Sequence, residues 1–205
     1  MVTIYESRLW RRNPVFTALA GISLESEGRL ITEAAALRGD ELVLDLACGP
    51  GIYARRFARA APRGGVVGLD LSRPMLRHAI ARARAQRLEN LVLVRGDAMA
   101  LPFAGGSFEV VSCCGALHLI PDVARTLREA ARVLRPGGRL TVAAVRQGEG
   151  RFQELVWARR RNLLGITAFR SAELVGLIER AGFEGVRIHH QKRIWVVLGG
   201  RRSDP

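Results

Sequence analysis

Residues 43–51 read VLDLACGPG, an apolar run that carries Asp45 and is followed by a turn with Gly49 and Gly51. A short run of this kind is typical of a strand buried on both faces of a sheet. Glycines let the backbone pass close to a ligand, because a Cβ atom would collide with it. The helix predicted to begin at residue 52 offers unpaired N–H groups at its start. The segment therefore predicts a strand, a ligand-binding turn and a helix, in that order.

Strand and helix signals alternate on both sides of this turn. Apolar runs predict strands over residues 41–47, 66–70, 91–97, 108–114 and 139–145. Helical patterns predict helices over residues 25–38, 52–61, 73–87, a stretch after Asp122, and 171–182. Two last runs, 186–190 and 194–200, predict an antiparallel hairpin because only three residues separate them. This order predicts an α/β fold, a doubly wound and mostly parallel sheet with helices on both faces.

Local signals place the ends and faces of the helices. The predicted N-caps are Ser72, Asp122 and Ser171. The predicted buried face of the first helix consists of Leu30, Ala34 and Leu37. The run Arg135-Pro136-Gly137-Gly138 is predicted to end a helix and turn the chain before the strand at 139–145. In such a sheet, ligands bind outside the carboxyl ends of the strands.

Composition limits the classes of function. A length of 205 residues is enough for one domain with a sizeable core. The chain lacks the run of about 18 apolar residues that a membrane span needs, and its first residues do not resemble a secretory signal, so a cytoplasmic location is the expectation. The net charge of +13 is compatible with a polyanionic partner. However, the arginines are spread along the chain, which favours solvated helix faces over a nucleic-acid-binding surface.

The three cysteines, Cys48, Cys113 and Cys114, are too few and too irregular for a disulfide framework. Their spacing matches no zinc signature, so no metal site is predicted. Cys113 and Cys114 lie in an apolar run, which favours buried small hydrophobic side chains.

Two further acidic residues close predicted strands. Asp70 ends the second strand and can accept hydrogen bonds from both ribose hydroxyls of an adenosine, with Leu71 and Met75 covering the faces of the base. The alternative is that Asp70 only helps to cap the next helix. Asp97 ends the third strand and can accept from an adenine amine, while the backbone N–H of Ala98 donates to a ring nitrogen.

Four motifs in this order resemble the class I methyltransferases that use S-adenosylmethionine. They resemble the small-molecule branch that includes the ubiquinone and menaquinone biosynthesis methyltransferases. The matching segments are VLDLACGPG at 43–51, GLDLSRPML at 68–76, GDAMALPFAGGSFEVVSCCGALHLIPD at 96–122 and RVLRPGGRL at 132–140. The resemblance implies a Rossmann-like sheet of seven strands. Nicotinamide enzymes share the glycine turn, but they lack the later motifs in this order.

The resemblance also implies the cofactor site. It would consist of Asp45, Ala47, Gly49, Gly51, Asp70, Leu71, Met75, Asp97, Ala98 and Cys113. Asp45 and the two glycines would hold the methionine end, Asp70 the ribose, and Asp97 with Ala98 the adenine. Cys113 lies where family members offer a backbone carbonyl to the amino group of the cofactor, so its thiol has no implied role.

The predicted function is methyl transfer from S-adenosylmethionine to a small molecule, with an oxygen, carbon or nitrogen nucleophile. The alternatives are an RNA methyltransferase and a non-catalytic cofactor-binding module. No catalytic residue is assigned, since His118 is either a general base or a pocket-lining side chain. The absence of an Asn/Asp-Pro-Pro-Tyr run after the fourth strand argues against amino methylation of nucleic-acid bases. Oligomeric state stays open.

We expect one domain over residues 1–205. Its predicted parts are an N-terminal helical cap (1–38), a cofactor-binding core (39–146), a substrate-side insertion (147–170), and a last helix with the hairpin (171–205). The family places substrate caps in the first and third of these parts. The candidate substrate-side residues are Tyr5, Trp10, His118 and Trp157.

Overall fold

The computed structural model describes residues 23–148, 157, 166–192 and 195–203. Its strands are β1 (Leu42–Leu46), β2 (Gly65–Asp70), β3 (Leu91–Arg95), β4 (Phe108–Cys114), β5 (Leu134–Val145), β6 (Phe183–Gln191) and β7 (Trp195–Arg202). Its helices are α1 (Leu24–Ala34), α2 (Ile52–Ala60), α3 (Arg73–Ala85), α4 (Val123–Val133) and α5 (Ser171–Arg180), with a short 3-10 helix over Leu117–Leu119. None of these helices has the length and apolar character that crossing a membrane requires.

The seven strands form one sheet in the order β3-β2-β1-β4-β5-β7-β6. Strands β1 to β5 pair in parallel, and β7 is antiparallel to both β5 and β6. The predicted fold class and the C-terminal hairpin are therefore confirmed. The chain moves outward from β1 to β3 and then returns to the other side of β1 with β4, so the order reverses between β1 and β4. The carboxyl ends of these two strands form the crevice where such sheets bind ligands.

Helices cover both faces of the sheet because successive residues of a strand point to opposite sides. Leu44 of β1 packs in the cluster that contains Leu127 of α4 and Leu174 of α5. Its neighbour Val43 packs in the other cluster, with Ile31 of α1 and Phe57 of α2. The strands in the middle of the sheet are thus buried on both faces, as their apolar sequences predict.

The first helix differs from its prediction in length and in its buried face. It ends at Ala34 rather than at residue 38, because Ala36 and Gly39 have positive φ angles of 48° and 103° and turn the chain. Leu30, Ala34 and Leu37 are only partly buried. The most buried stripe is instead Glu27, Ile31 and Ala35, each 0% exposed.

Two other predictions about element ends are wrong. The run Arg135-Pro136-Gly137-Gly138 lies within β5 instead of before it, because Leu134 already pairs with Phe108. An irregularity follows, and pairing resumes between Val110 and Arg139. Ser171 is the first residue of α5 and not its cap. The N-cap is Arg170, whose N–H donates to Glu173 at 3.4 Å, while the Ser171 hydroxyl accepts from Arg146 at 3.1 Å.

The predicted N-caps of α3 and α4 are confirmed. The Ser72 hydroxyl accepts from the N–H of Met75 at 3.4 Å, and the Asp122 carboxylate accepts from the N–H of Arg125 at 2.9 Å. Strand β3 ends at Arg95, two residues earlier than predicted, and Asp97 forms an isolated bridge with Ala100. These ends matter because they fix the loops that carry the predicted site.

Candidate active site

The turn after β1 is strained and open toward the crevice. Ala47 has φ 51° and Gly49 has φ 54°, in the left-handed region that side chains with a Cβ rarely adopt. A Cβ placed on Gly49 would meet no atom of the described residues within 4 Å, so these residues leave space for a ligand beside this backbone. Gly51 differs, because a Cβ there would come within 3.1 Å of Ala79. Gly49 thus leaves room for a ligand, whereas Gly51 lets α2 pack closely on α3.

Asp45 lies in β1 just before this turn and is 1% exposed. Burial raises the pKa of Asp45 to about 7, against the effect of hydrogen bonds from the backbone of Ala54 and the side chain of Ser112, and the charge of Asp70 raises it further. The Oδ2 atom of Asp45 accepts no hydrogen bond from any described residue. A buried carboxylate oxygen without a partner is costly. A positively charged ligand group in the crevice would relieve this cost.

Asp70 joins two loops at the end of β2. Its Oδ2 atom accepts from the N–H of Gly49 at 2.8 Å, and its Oδ1 atom accepts from the N–H of Ser72 at 2.8 Å. The side chain is half-buried. Each carboxylate oxygen keeps capacity for a further hydrogen bond, because an ionised carboxylate accepts about four. Asp70 therefore has a structural role in the turn, as the capping alternative supposed, and also retains acceptors for a ligand.

The rest of the predicted adenosine side follows the ends of β2 and β3. Leu71 is 63% exposed at the start of the β2–α3 turn, and Met75 is half-buried in the first turn of α3. The Oδ1 atom of Asp97 accepts from the N–H of Met99 at 2.8 Å, and Ala98 is buried. Since β3, β2 and β1 are neighbours in the sheet, Asp97, Asp70 and Asp45 lie along the same edge.

The cysteines at the end of β4 are free and buried, as the sequence predicts. Burial raises the pKa of Cys113 to about 12 and the pKa of Cys114 well above its ordinary value. Both thiols are therefore protonated near neutral pH, and neither is an activated nucleophile. Gly115 follows directly, and a Cβ placed there would also lie more than 4 Å from every described residue beyond its chain neighbours. The crevice is thus open at the ends of both β1 and β4.

His118 is buried in the 3-10 helix after β4. Burial lowers the pKa of His118 to about 4, so the imidazole is neutral at physiological pH. Its Nδ1 atom has no hydrogen-bond partner in the described ranges, and its ring lies edge-on to Trp195 with 6.0 Å between the centroids. The other substrate-side candidates are less informative. Trp157 is half-buried, and Tyr5 and Trp10 lie outside the described residues.

The structure adds a group that the sequence interpretation missed. The Oε1 atom of Glu27 in α1 accepts from the Tyr53 hydroxyl at 2.9 Å and from Nε1 of Trp195 at 3.1 Å. Glu27 is 0% exposed, and its Oε2 atom has no partner within the part of the chain that the structure describes. One sequence signal was available, since Glu27 lies four residues before Ile31 and eight before Ala35. An acidic residue on a buried helical stripe is unusual.

This sheet order, with a glycine turn after β1 and acidic residues at the ends of β1, β2 and β3, is the architecture of class I S-adenosylmethionine-dependent methyltransferases. Residues 43–138 match the model of a methyltransferase domain. The predicted resemblance to this class is therefore confirmed, and S-adenosylmethionine is the cofactor that goes with it.

The similar proteins point to one branch of the class. The demethylmenaquinone methyltransferase of Lactococcus lactis is 42% identical over 99 residues, which cover 48% of this chain and 39% of the relative. The ubiquinone/menaquinone biosynthesis C-methyltransferase UbiE of Dinoroseobacter shibae is 44% identical over 108 residues, which cover 52% of this chain and 43% of the relative. The chain thus spans less than half the length of these two relatives, and the resemblance to the quinone methyltransferase branch is confirmed.

Solved structures show the fold at lower identity. A methyltransferase of Methanosarcina mazei that depends on S-adenosylmethionine has a TM-score of 0.70 at 20% identity, over 82% of this chain and 95% of that chain. The [4+2]-cyclase SpnF has a TM-score of 0.76, also at 20% identity, over 95% of this chain and 94% of that chain. Because SpnF is named a cyclase, the fold alone does not determine the reaction.

The residues present fit S-adenosylmethionine. The cofactor carries a positive sulfonium and a positive amino group, which suit the buried, unpartnered Oδ2 atom of Asp45. The open space beside Gly49 admits a ligand against the turn. The ribose diol needs paired acceptors, and both oxygens of Asp70 have capacity for one more hydrogen bond.

Proposed function

We propose that this chain transfers a methyl group from S-adenosylmethionine to a small-molecule acceptor. The observation that carries the proposal is the row of Asp45, Asp70 and Asp97 at the ends of three adjacent strands, beside a glycine turn that faces open space. Each carboxylate suits a different part of the cofactor. The dinucleotide-binding fingerprint places its acidic residue after the second strand, so it does not account for the buried Asp45 in β1.

In the proposed complex, Asp45, Ala47, Gly49 and Gly51 hold the methionine end of the cofactor. The backbone carbonyl of Cys113 accepts from the amino group of the cofactor. Asp70 accepts from the ribose hydroxyls, Leu71 and Met75 cover the faces of the adenine, and Asp97 and Ala98 bind its edge. This set is the one that the resemblance implies. The geometry supports this set, because its residues lie at or shortly after the carboxyl ends of β1 to β4.

When bound, the cofactor supplies a methyl group on a positively charged sulfur. The chain positions the acceptor and excludes water from the site. Because charge is dispersed as the methyl group moves, much of the rate comes from aligning the nucleophile with that group. His118 lines the acceptor side as a neutral ring, and its lowered pKa makes it a poor base near pH 7. Of the two roles that the sequence left open, the lining role is the one we propose.

The names of the relatives suggest the class of acceptor. Both curated relatives described above are named for quinone methylation. We therefore propose that the acceptor is a small aromatic molecule of the phenol or quinol type. We also propose that it enters from the side of residues 1–38 and 147–170. The nucleophile, whether oxygen or ring carbon, is left to experiment.

An RNA acceptor is the second candidate, and one surface favours it. A groove of about 670 Å³ between α1 and α2 is lined by four arginines, Arg29, Arg55, Arg56 and Arg59. Phosphates bind such surfaces, and their affinity falls steeply with salt. The small-molecule proposal predicts turnover that depends little on salt.

The direct test is a screen of acceptors with purified protein and S-adenosylmethionine that carries a deuterated methyl group. Mass spectrometry then detects the labelled product. We expect labelling of one or more phenols or quinols. Labelling of RNA alone would replace the proposed acceptor class, and formation of no methylated product from any class would favour the non-catalytic module.

A further inference from the structure

The carboxylate of Glu27 is buried but only half satisfied. Tyr53 of α2 and Trp195 of β7 both donate to its Oε1 atom, at 2.9 and 3.1 Å. Its Oε2 atom has no hydrogen-bond partner among the described residues, although the residue is 0% exposed. Burying a carboxylate oxygen without a hydrogen bond destabilises a fold. The two donors to Oε1 hold the carboxylate in place, and Oε2 keeps its capacity to accept a hydrogen bond.

Glu27 lies at the carboxyl end of the sheet, because its donor Tyr53 is in the first turn of α2 and its donor Trp195 pairs with Val145, the last residue of β5. Glu27 and Asp45 both act electrostatically on Tyr53 and on Cys114, so the two carboxylates share one neighbourhood at the ends of β1 and β4. Gly115, which follows Cys114, faces open space. The reactive methyl of the cofactor belongs at this end, because Asp45 and the glycine turn would hold the methionine part.

Aromatic side chains surround the same place. Trp195 contacts His118 edge-on, and the His118 Nδ1 atom is a second buried polar atom without a partner. Tyr53, Trp195 and His118 therefore provide ring surfaces near two unsatisfied polar atoms. A planar acceptor with a polar hydrogen would satisfy Glu27, whereas an aliphatic one would leave the ring surfaces unused.

We propose that Glu27 binds the hydroxyl of an aromatic acceptor through Oε2 and takes its proton during methyl transfer. This inference rests on the proposed function and assigns a residue that the cofactor motifs do not include. The step is written for an oxygen nucleophile, in which an electron pair of the hydroxyl oxygen forms the new bond to the methyl carbon. The sulfur–carbon bond breaks and its electron pair stays on sulfur, which becomes a neutral thioether. The hydroxyl proton moves to the Glu27 carboxylate and leaves to solvent afterwards.

Charge on the neighbouring groups agrees with this role. Burial raises the pKa of Glu27 to about 7, and the hydrogen bonds from Tyr53 and Trp195 and the charge of Arg56 offset only part of that rise. A base is most effective when its pKa lies near the working pH. Burial lowers the pKa of His118 to about 4, which leaves Glu27 as the better proton acceptor.

Among the described residues, titratable or charged groups from several elements lie around Glu27 and its donors Tyr53 and Trp195. They include Tyr53 and Arg56 of α2, Asp45 of β1, Cys114 of β4, and His118 beyond Trp195. Burial raises the pKa values of Tyr53 and Cys114 well above their ordinary range. Asp45 has a raised pKa of about 7 as well, so it is the group that a pH profile must distinguish from Glu27.

The test compares Glu27→Gln with Glu33→Gln, an exposed glutamate of the same helix. Glutamine keeps the Oε1 acceptor for Tyr53 and Trp195 and cannot take a proton. With a phenol acceptor we expect kcat to fall about 100-fold or more in Glu27→Gln, and to stay unchanged in Glu33→Gln. The Kd for S-adenosylhomocysteine should change little in either variant. The rise of kcat with pH near 7 should disappear in Glu27→Gln and remain in Glu33→Gln. A rise caused by Asp45, whose pKa is also about 7, would remain in both variants.

Two further measurements make the result decisive. An acceptor that is already deprotonated, such as a nitrocatechol at pH 8, should be methylated by Glu27→Gln at close to the wild-type rate. Binding of 4-nitrophenol to the complex with S-adenosylhomocysteine, followed by absorbance, should weaken about tenfold in Glu27→Gln and not in Glu33→Gln. Equal kcat or equal nitrophenol affinity in wild type and Glu27→Gln would overturn the role of Glu27, as would no nitrophenol binding to the wild type. If the wild type does not bind S-adenosylhomocysteine, the proposed function itself is wrong.

Discussion

Glu27 and Glu41 are both buried glutamates, yet they lie at opposite ends of the sheet and are partnered differently. Glu41 precedes β1 at the amino end, where its two oxygens accept from the N–H groups of Arg38 and Gly39 and from Arg139 at 2.7 to 3.0 Å. Glu27 lies at the carboxyl end with one oxygen unpartnered.

The pKa values of the two glutamates express this difference. Burial alone would raise the pKa of Glu41, but the hydrogen bonds from Arg38, Arg139 and Gly39 outweigh it and lower the pKa to about 2. Burial prevails at Glu27 and raises its pKa to about 7. The same protein therefore satisfies a buried carboxylate fully where it holds the fold together, and leaves one unsatisfied where a ligand is proposed. Glu41 thus stabilises the fold, whereas Glu27 is proposed to bind a ligand.

The largest effect is expected for Glu41→Ala. The change leaves the Arg139 guanidinium and two backbone N–H groups without their partner at a site where Glu41 is 4% exposed. Breaking a buried pair costs about 3–5 kcal/mol of unfolding free energy, to be measured by urea denaturation. The folded variant should bind S-adenosylhomocysteine as the wild type does. Weaker binding with unchanged stability would reverse the assignment of the two ends.

The next effect concerns Asp70→Ala. Loss of hydrogen bonds to the ribose should weaken S-adenosylhomocysteine binding by about 1.5–3 kcal/mol, or about 10- to 150-fold, in calorimetric titration. The melting temperature should also fall, since Asp70 ties Gly49 to Ser72. Asp70→Asn should lose less of both. A lower melting temperature with unchanged affinity would limit Asp70 to the structural role.

The next prediction concerns how the free energy of unfolding depends on pH. The folded pKa of Glu27 lies above its unfolded value of 4.5, so its contribution is present below about pH 4.5 and is lost as pH rises through about 7. Glu41 behaves in the opposite way, because its contribution is present above about pH 4.5 and is lost as pH falls through about 2.

Urea denaturation of wild type and Glu27→Gln between about pH 5 and pH 8 isolates the first of these terms. The wild type should lose stability relative to the variant by about 2–3 kcal/mol over this range. The difference between the two proteins removes the contributions that they share, including those of Asp45 and His118. A constant difference across the range would mean that folding does not raise the pKa of Glu27.

The smallest effect on turnover is expected for Cys113→Ser and Cys114→Ser. Both thiols are buried and protonated, and the proposed contact of Cys113 uses its backbone. Stability should fall slightly, because a hydroxyl is more costly to bury than a thiol. Methyl transfer per folded molecule should be close to that of the wild type in the labelled-product assay. Loss of turnover in a folded variant would reveal chemistry of the vicinal pair.

The sequence reveals one half of the crevice and hides the other, for a physical reason. Asp45, Asp70 and Asp97 each follow a strand and lie in local motifs, so the alternation of strands and helices is enough to bring them together. The group around Glu27 has no such motif, because Trp195 lies 168 residues away in the chain. Only the packing of α1 against α2 and β7 brings these residues together.

Two fold details were beyond the sequence for a similar reason. Residues 35–38 fit a helical pattern, yet the carboxylate of Glu41 captures the N–H groups of Arg38 and Gly39 and favours a turn. The glycines at 137 and 138 favour a turn before β5, yet the pairing of Leu134 with Phe108 starts the strand earlier. In both cases a contact outside the local segment outweighs the local preference.

The most direct test of the central claim, that the carboxyl end of the sheet binds S-adenosylmethionine, is the melting temperature of the protein with added S-adenosylhomocysteine and, separately, with NAD. A ligand that binds only the folded state stabilises it by about 2.7 kcal/mol at 100 times its Kd. The account predicts that S-adenosylhomocysteine raises the melting temperature in a concentration-dependent way and that NAD does not. A rise with NAD and none with S-adenosylhomocysteine would contradict it.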